Sequence, residues 1–137
     1  MSKTENNKLI TGTGRRKTAV SRLFLYEKKG EFTINGKKVS EYFTSSLDQA
    51  KWLKPFHLVG VSHPESKFSG SIKVHGSGKS AQLDAVIHSI SHALAKIQED
   101  WSIILRRNKM LTRDSRMVER KKPNLHKARK AQQYSKR

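Results

Sequence analysis

Leu83-Asp84-Ala85-Val86-Ile87-His88-Ser89-Ile90-Ser91-His92-Ala93-Leu94-Ala95-Lys96-Ile97-Gln98-Glu99-Asp100-Trp101 carries the strongest periodicity in the chain. Wound as an α-helix, it gathers Leu83, Val86, Ile87, Ile90, Leu94, Ile97 and Trp101 into a stripe about 100° wide, as a helix lying on a sheet requires. A basic segment, Ser102 to Lys109, continues this helix or follows a kink. Upstream, Phe68 to His75 alternates as a strand, with Phe68, Gly70, Ile72 and Val74 on one side and Ser69, Ser71, Lys73 and His75 on the other.

Further toward the N-terminus, His63-Pro64-Glu65-Ser66 is a loop and Phe56 to Val61 a short extended piece. Glu41 to Leu53 is expected to be helical, with Tyr42, Phe43, Leu47, Ala50 and Leu53 as its apolar stripe, and to stop before Pro55. Trp52 has no evident place in that pattern. Asn35-Gly36 between Phe32-Thr33-Ile34 and Val39 suits a type I′ hairpin turn, since both residues accept positive φ. Ala19 to Tyr26 reads as a strand, apolar on both faces from Leu23 to Tyr26. Before it, Thr11-Gly12-Thr13-Gly14 leads into Arg15, Arg16 and Lys17. Two permissive glycines there would let the backbone approach a phosphate while the cations clamp it. An ordinary glycine turn with solvated charges is the alternative. Met1 to Lys8 is polar and expected to be loose, with no apolar signal core.

Composition points the same way. The chain has 137 residues, room for one core, and a formal net charge of +18. Residues 106–137 hold 13 basic and 2 acidic side chains. Charge gathered at one end of a chain of pI near 10.5 is the footprint of a nucleic-acid binder. An anionic membrane would also attract it, but the basic tail lacks the interleaved Leu, Phe or Trp that insert into an interface. There is no cysteine, hence no disulfide and no thiolate metal site. The last eighteen residues, Arg120 to Arg137, offer only Leu125 as a large aliphatic residue and cannot offset the entropy of ordering themselves. The tail is therefore expected to order against a polyanion, and Tyr134 beside Lys136-Arg137 tips the expectation to RNA.

Two motifs suggest other chemistry. Gly78-Lys79-Ser80, between a strand and a helix, resembles the end of a phosphate-binding P-loop. The full motif needs glycine where Lys73 stands, and no later strand offers an aspartate for magnesium. His88 and His92 have the spacing of a zinc pair, but Ser89 replaces the glutamate of the metalloprotease motif and no third ligand is evident, so surface histidines are expected. Glu99 and Asp100 diverge on a helix, and no nucleophile is paired with a base. Neither catalytic residues nor a metal or other cofactor are expected.

The tail also carries a resemblance. Thr112-Arg113-Asp114, Arg116, Glu119-Arg120-Lys121-Lys122, Lys127-Ala128-Arg129-Lys130 and Ser135-Lys136-Arg137 resemble the bacterial-type ninth protein of the small ribosomal subunit. Upstream, Thr11 to Thr18 and the set Gly76, Gly78, Ala81, Gln82, Ala85, Ser89, Ser91, Ala93 and Leu94 fit the same family. Ser77 replaces the middle of three glycines, putting in doubt any need for positive φ there. His92 stands where Arg or Lys is usual.

The resemblance implies an α+β fold, a mixed sheet with helices packed on it and a left-handed βαβ crossover, plus an extended basic C-terminal tail. The expected division is a flexible 1–8, a globular 9–111 and a tail 112–137. Ribosomal RNA contacts are expected at Arg15, Arg16, Lys17, Lys79, Arg113, Arg116, Arg120, Lys121, Lys122, Lys127, Arg129 and Lys130. Ser135, Lys136 and Arg137 are expected at the P-site transfer RNA. Neighbouring small-subunit proteins are the other implied partners, and the ribosome of a bacterial cytoplasm, plastid stroma or mitochondrial matrix the implied location. A free RNA-binding chaperone and a P-loop nucleotide binder are the competing readings.

Overall fold

The computed structural model describes residues 8–136. Five strands, β1 (Leu9–Arg16), β2 (Ala19–Tyr26), β3 (Phe32–Ile34), β4 (Lys37–Lys38) and β5 (Ser69–His75), form one sheet in the order β1-β2-β5-β3-β4. Only the β3–β5 pair is parallel. The chain between those two strands holds β4, two α-helices, α1 (Val39–Tyr42) and α2 (Ser46–Leu58), and a single 3-10 turn at Pro64–Ser66 within the expected loop, so this is the crossover of the mixed sheet. The long helix α3 (Lys79–Ile97) lies on β1 and β2, and α4 (Glu99–Arg107) follows it.

The core lies between one face of the sheet and the helices. Leu23, Leu25, Phe32, Ile34, Ile72 and Val74 come from the strands, and Leu83, Val86, Ile90 and Leu94 meet them from α3. Trp52 and Phe56 of α2 pack their rings 5.5 Å from Phe32, which gives Trp52 its place. The expected periodic stripe of α3 is thus the core face, but the helix stops earlier than expected. Gln98 is extended (φ −138°, ψ 141°), so Trp101 belongs to α4, from which it still packs half-buried against Phe68 at 6.4 Å.

Pro55 does not end α2. The helix runs through it to Leu58, and Phe56 to Val61 is therefore not an extended piece. Proline removes one hydrogen bond to the fourth preceding carbonyl, that of Lys51. Burial of Trp52, Pro55 and Phe56 against the core outweighs that loss and holds the turn together. The expected helix from Glu41 is also broken, with α1 capped at Phe43 before α2 starts at Ser46.

Asn35-Gly36 forms the expected turn, with φ 50° and 82° between paired Ile34 and Lys37. Asn35 additionally bonds across to β5: its Oδ1 accepts the Val74 N–H (3.0 Å) and its Nδ2 donates to the Val74 carbonyl (2.9 Å). The hairpin is thereby stitched to the strand it runs beside.

Thr11-Gly12-Thr13-Gly14 is strand, not loop. Gly12 and Gly14 point at α3: a Cβ on Gly12 would lie 2.2 Å from the Ser89 carbonyl oxygen, and one on Gly14 2.0 Å from that of Ala85. These glycines therefore admit a helix rather than a phosphate, and Ala85, Ser89 and Ala93 are the small face of α3 that meets them. Serine at 89 is satisfied in that dry contact, since its hydroxyl donates to the Val86 carbonyl (2.7 Å) and accepts from Ser21 of β2 (3.1 Å). Thus α3 is buried on two adjoining sides, one of large aliphatic and one of small residues.

A candidate nucleic-acid interface

The β1–β2 turn, the β5–α3 turn and the Asn35-Gly36 hairpin lie at one end of the sheet, because Val20 pairs with His75 and Asn35 bonds to Val74. Gly76 (φ 84°) packs against the β1–β2 turn, its Cα so close to Thr18 that a Cβ would meet the Thr18 carbonyl at 2.4 Å. Ser77 follows at φ 51°. The β5–α3 turn does need a positive angle at that position, and serine adopts it. No local sequence signal hints at this, since the demand comes from turning β5 into α3 against Thr18.

Arg15, Arg16 and Lys17 occupy the end of β1 and its turn, Lys17 at φ 51°. Their roles separate. Arg15 and Lys17 are exposed, whereas the Arg16 side chain is only 15% exposed. Its guanidinium contacts Asp114 Oδ1 at 2.8 Å and Asp84 Oδ2 at 3.5 Å, and it donates to the Arg116 carbonyl at 3.2 Å. Arg113 reaches the same turn and donates to the Lys17 carbonyl (3.4 Å). So β1 receives the start of the tail, and Arg15, Lys17, Arg113 and Arg116 become one exposed basic cluster.

Asp114 is fixed from two sides. Arg116 bonds it through both side chain and backbone N–H, and with Arg16 nearby its carboxyl is held far below the usual carboxylate range. The other tail carboxylate, Glu119, pairs with Lys122 (2.5 Å) and Arg129 (3.0 Å). Farther on, the tail folds back once, through a bridge between Leu125 and Ala131 and a His126 N–H to Lys130 carbonyl bond. Arg120, Lys121, Lys122, Lys127, Arg129, Lys130, Ser135 and Lys136 are all exposed along it. Arg137 lies outside the described residues.

The histidine pair joins the same structure and is half-buried, engaged by neighbours rather than free at the surface. His88 Nδ1 accepts the backbone N–H of Arg15 (3.2 Å), so the neutral ring carries its proton on Nε2. That nitrogen faces the Leu111 carbonyl (3.1 Å) and His92 Nε2 (2.9 Å), which must then accept. Burial, then the proximity of His88 and Lys96, lower the pKa of His92. The imidazoles therefore act as hydrogen-bonding links between β1, α3 and the segment after α4. Among the described residues no group of three potential metal ligands is assembled.

Lys79 stands apart from the cluster. Its ammonium lies 3.3 Å from the centre of the Tyr42 ring and donates to the Tyr42 carbonyl (3.4 Å). Tyr42 in turn donates to Gln82 Oε1 (2.5 Å), and Gln82 Nε2 to the Gly76 carbonyl (3.0 Å). Lys79 thus pins α1 to the start of α3 instead of arching over a phosphate loop. Among the described residues no strand follows α3 to supply a magnesium-holding aspartate.

A single α+β body with a basic cluster at one end of its sheet and a cation-studded tail leaving from that cluster is the build of an RNA-binding ribosomal protein. Residues 14–137 match the family described as ribosomal protein S9/S16. The chain is 44% identical over 126 residues to small ribosomal subunit protein uS9 of a Thermus thermophilus strain, covering 92% of this chain and 96% of that one. It is 43% identical to the uS9 protein of Dehalococcoides mccartyi (97% and 98% covered) and 41% identical to that of Rickettsia bellii (98% and 80% covered). The chain belongs to the ribosomal protein S9/S16 family, as an RNA-binding protein of the small ribosomal subunit that serves translation.

Proposed function

We infer that the folded body binds small-subunit ribosomal RNA in the subunit head through Arg15, Lys17, Arg113 and Arg116, and that the tail runs along RNA to the P site. Its end, Ser135-Lys136-Arg137, contacts the anticodon stem-loop of the P-site transfer RNA. The observation that carries this reading is the state of the tail's charges: its two acidic side chains are already paired, Asp114 with Arg16 and Arg116 and Glu119 with Lys122 and Arg129, while Arg113, Arg120, Lys121, Lys127, Lys130 and Lys136 are exposed and form no ion pair among the described residues. A segment arranged in this way presents nearly unopposed positive charge to a polyanion. Arg16 holds the tail's exit and so supports the interface from behind, whereas Lys79 holds α1 away from the cluster. Neighbouring small-subunit proteins complete the environment, and the bacterial relatives support a bacterial ribosome as its location.

Binding of the purified protein to a head-domain ribosomal RNA fragment, titrated against salt, tests the first half. Each neutralised phosphate contributes roughly 0.7 to 0.9 to the slope of log affinity against log salt, so a slope of about −4 or steeper is expected. A flat titration would remove phosphate contact as the basis of binding. Retention on subunits through a high-salt gradient separates this reading from a free RNA chaperone, which would be stripped off.

A further inference from the structure

The face of the sheet turned away from the helices has no covering element among the described residues. Strand alternation places Arg22, Phe24 and Tyr26 of β2 there, with Thr11, Thr13 and, at the edge toward the tail exit, Arg15 of β1, and Lys73 of β5. Phe24 and Tyr26 are half-buried, pack against no core residue and pair with no other aromatic ring among the described residues. An antiparallel sheet with a solvated face needs nothing bound to it. This one, however, places Arg22 directly opposite Lys73, a like-charge cross-strand pair that weakens a sheet. Neither forms an ion pair among the described residues, and the strand residues sharing that face include no Asp or Glu. The Lys73 ammonium lies 5.9 Å from the centre of the Phe24 ring, so cation and aromatic surface are adjacent.

We propose that this open face is a second RNA-binding surface, one that takes unpaired nucleotides, a base stacking on Phe24 and the adjoining phosphates lying between Arg22 and Lys73. Unopposed cations call for an anion, and a flat ring beside them calls for a planar one, a combination that single-stranded RNA satisfies. The anion would relieve the Arg22–Lys73 repulsion. The surface is distinct from the tail exit, since residues 112–116 are held at the β1–α3 side by Arg16. The proposal rests on the RNA-binding reading above and deepens it.

The test uses the full chain. Anisotropy titrations with labelled oligouridylate and with an RNA duplex would be run on wild type, Phe24→Leu and Arg22→Gln/Lys73→Gln, with thermal melts confirming that each is folded. Loss of one stacked base weakens single-strand binding about 5-fold or more, and duplex binding is expected to change little for Phe24→Leu. Removing two phosphate contacts lowers the salt slope by about 1.4. Ultraviolet cross-linking in reconstituted subunits is expected to attach RNA to the peptide holding Phe24 and Tyr26, which keeps tail binding from masking the result. Folded variants that bind both RNAs like wild type, with cross-links confined to 112–137, would overturn the proposal. So would a cross-link from Phe24 to a neighbouring protein. Failure of the wild type to bind any RNA would instead overturn the broader reading.

Discussion

Arg16 and Asp114, separated by 98 positions in sequence, meet at 2.8 Å, and this contact fixes where the tail leaves the domain. Asp114 also accepts from Arg116, so one carboxylate binds the end of β1 to the first turn of the tail. Asp114→Asn removes its charge while keeping its shape. Limited tryptic cleavage at Arg116 and Arg120 is expected to speed up several-fold, with the melting of the domain nearly unchanged. The folded pKa of Asp114 is depressed, so its contribution is complete above the ordinary carboxylate range and lost only as pH falls through that lower value. Wild-type protection is therefore expected to persist at mildly acidic pH. Equal cleavage of both proteins would show that other contacts hold the exit.

Gly14→Ala tests the packing of α3 on β1. A methyl 2.0 Å from the Ala85 carbonyl oxygen and 2.4 Å from the Ser89 nitrogen meets backbone that cannot swing aside. Overpacking of this kind costs about 3 kcal/mol or more, which lowers the melting temperature by roughly 10 °C or more in a domain of this size. An unchanged melt would mean that strand and helix are farther apart than described.

That contact also marks the limit of what the sequence disclosed. Large side chains announce themselves through periodicity, so the Leu83, Val86, Ile90 and Leu94 face and the Asn35-Gly36 turn were legible. Gly12 and Gly14 broke the strand signal of β1, because a position that must be empty looks the same whether its neighbour is a helix or a phosphate. Pro55 reads as a stop in sequence, whereas burial of Trp52 and Phe56 outweighs one absent hydrogen bond. At the site, charge and family resemblance pointed to Arg15–Lys17 and the tail, yet the division of labour between exposed Arg15 and largely buried Arg16 depends on Asp84 and Asp114. The pairing of Arg22 with Lys73 is hidden for the same reason, since only strand register brings them face to face.

Ser77→Gly should stabilise the protein. Left-handed φ costs a non-glycine residue about 1 to 2 kcal/mol, and the extra unfolded-state freedom of glycine returns about 0.5 to 1 of it. A net gain of about 0.5 kcal/mol follows, read as a small rise in denaturant midpoint at constant slope. Destabilisation would show that the serine side chain makes a contact worth more than the strain.

His92 has a folded pKa below its ordinary 6.5. As pH falls, the unfolded chain takes up its proton first, so the stability that goes with neutral His92 is complete above about 6.5 and declines below it. Chemical-denaturation midpoints measured from neutral to mildly acidic pH are expected to fall for wild type and to vary less for His92→Gln. Parallel curves would place the pH dependence elsewhere.

In the proposed function the end of the tail reaches the P site. Deleting Ser135 to Arg137 leaves Arg113, Arg116 and Arg120 to Lys130 in place to anchor the tail, so assembly into subunits should be intact. Charge-assisted hydrogen bonds contribute roughly 1.5 to 3 kcal/mol each and less where water screens them, so P-site transfer RNA should dissociate several-fold faster or more. The decisive measurement is the dissociation rate of P-site transfer RNA from purified subunits carrying the deletion against wild type. Faster dissociation at normal protein content is the predicted result, and an unchanged rate at normal protein content would contradict it.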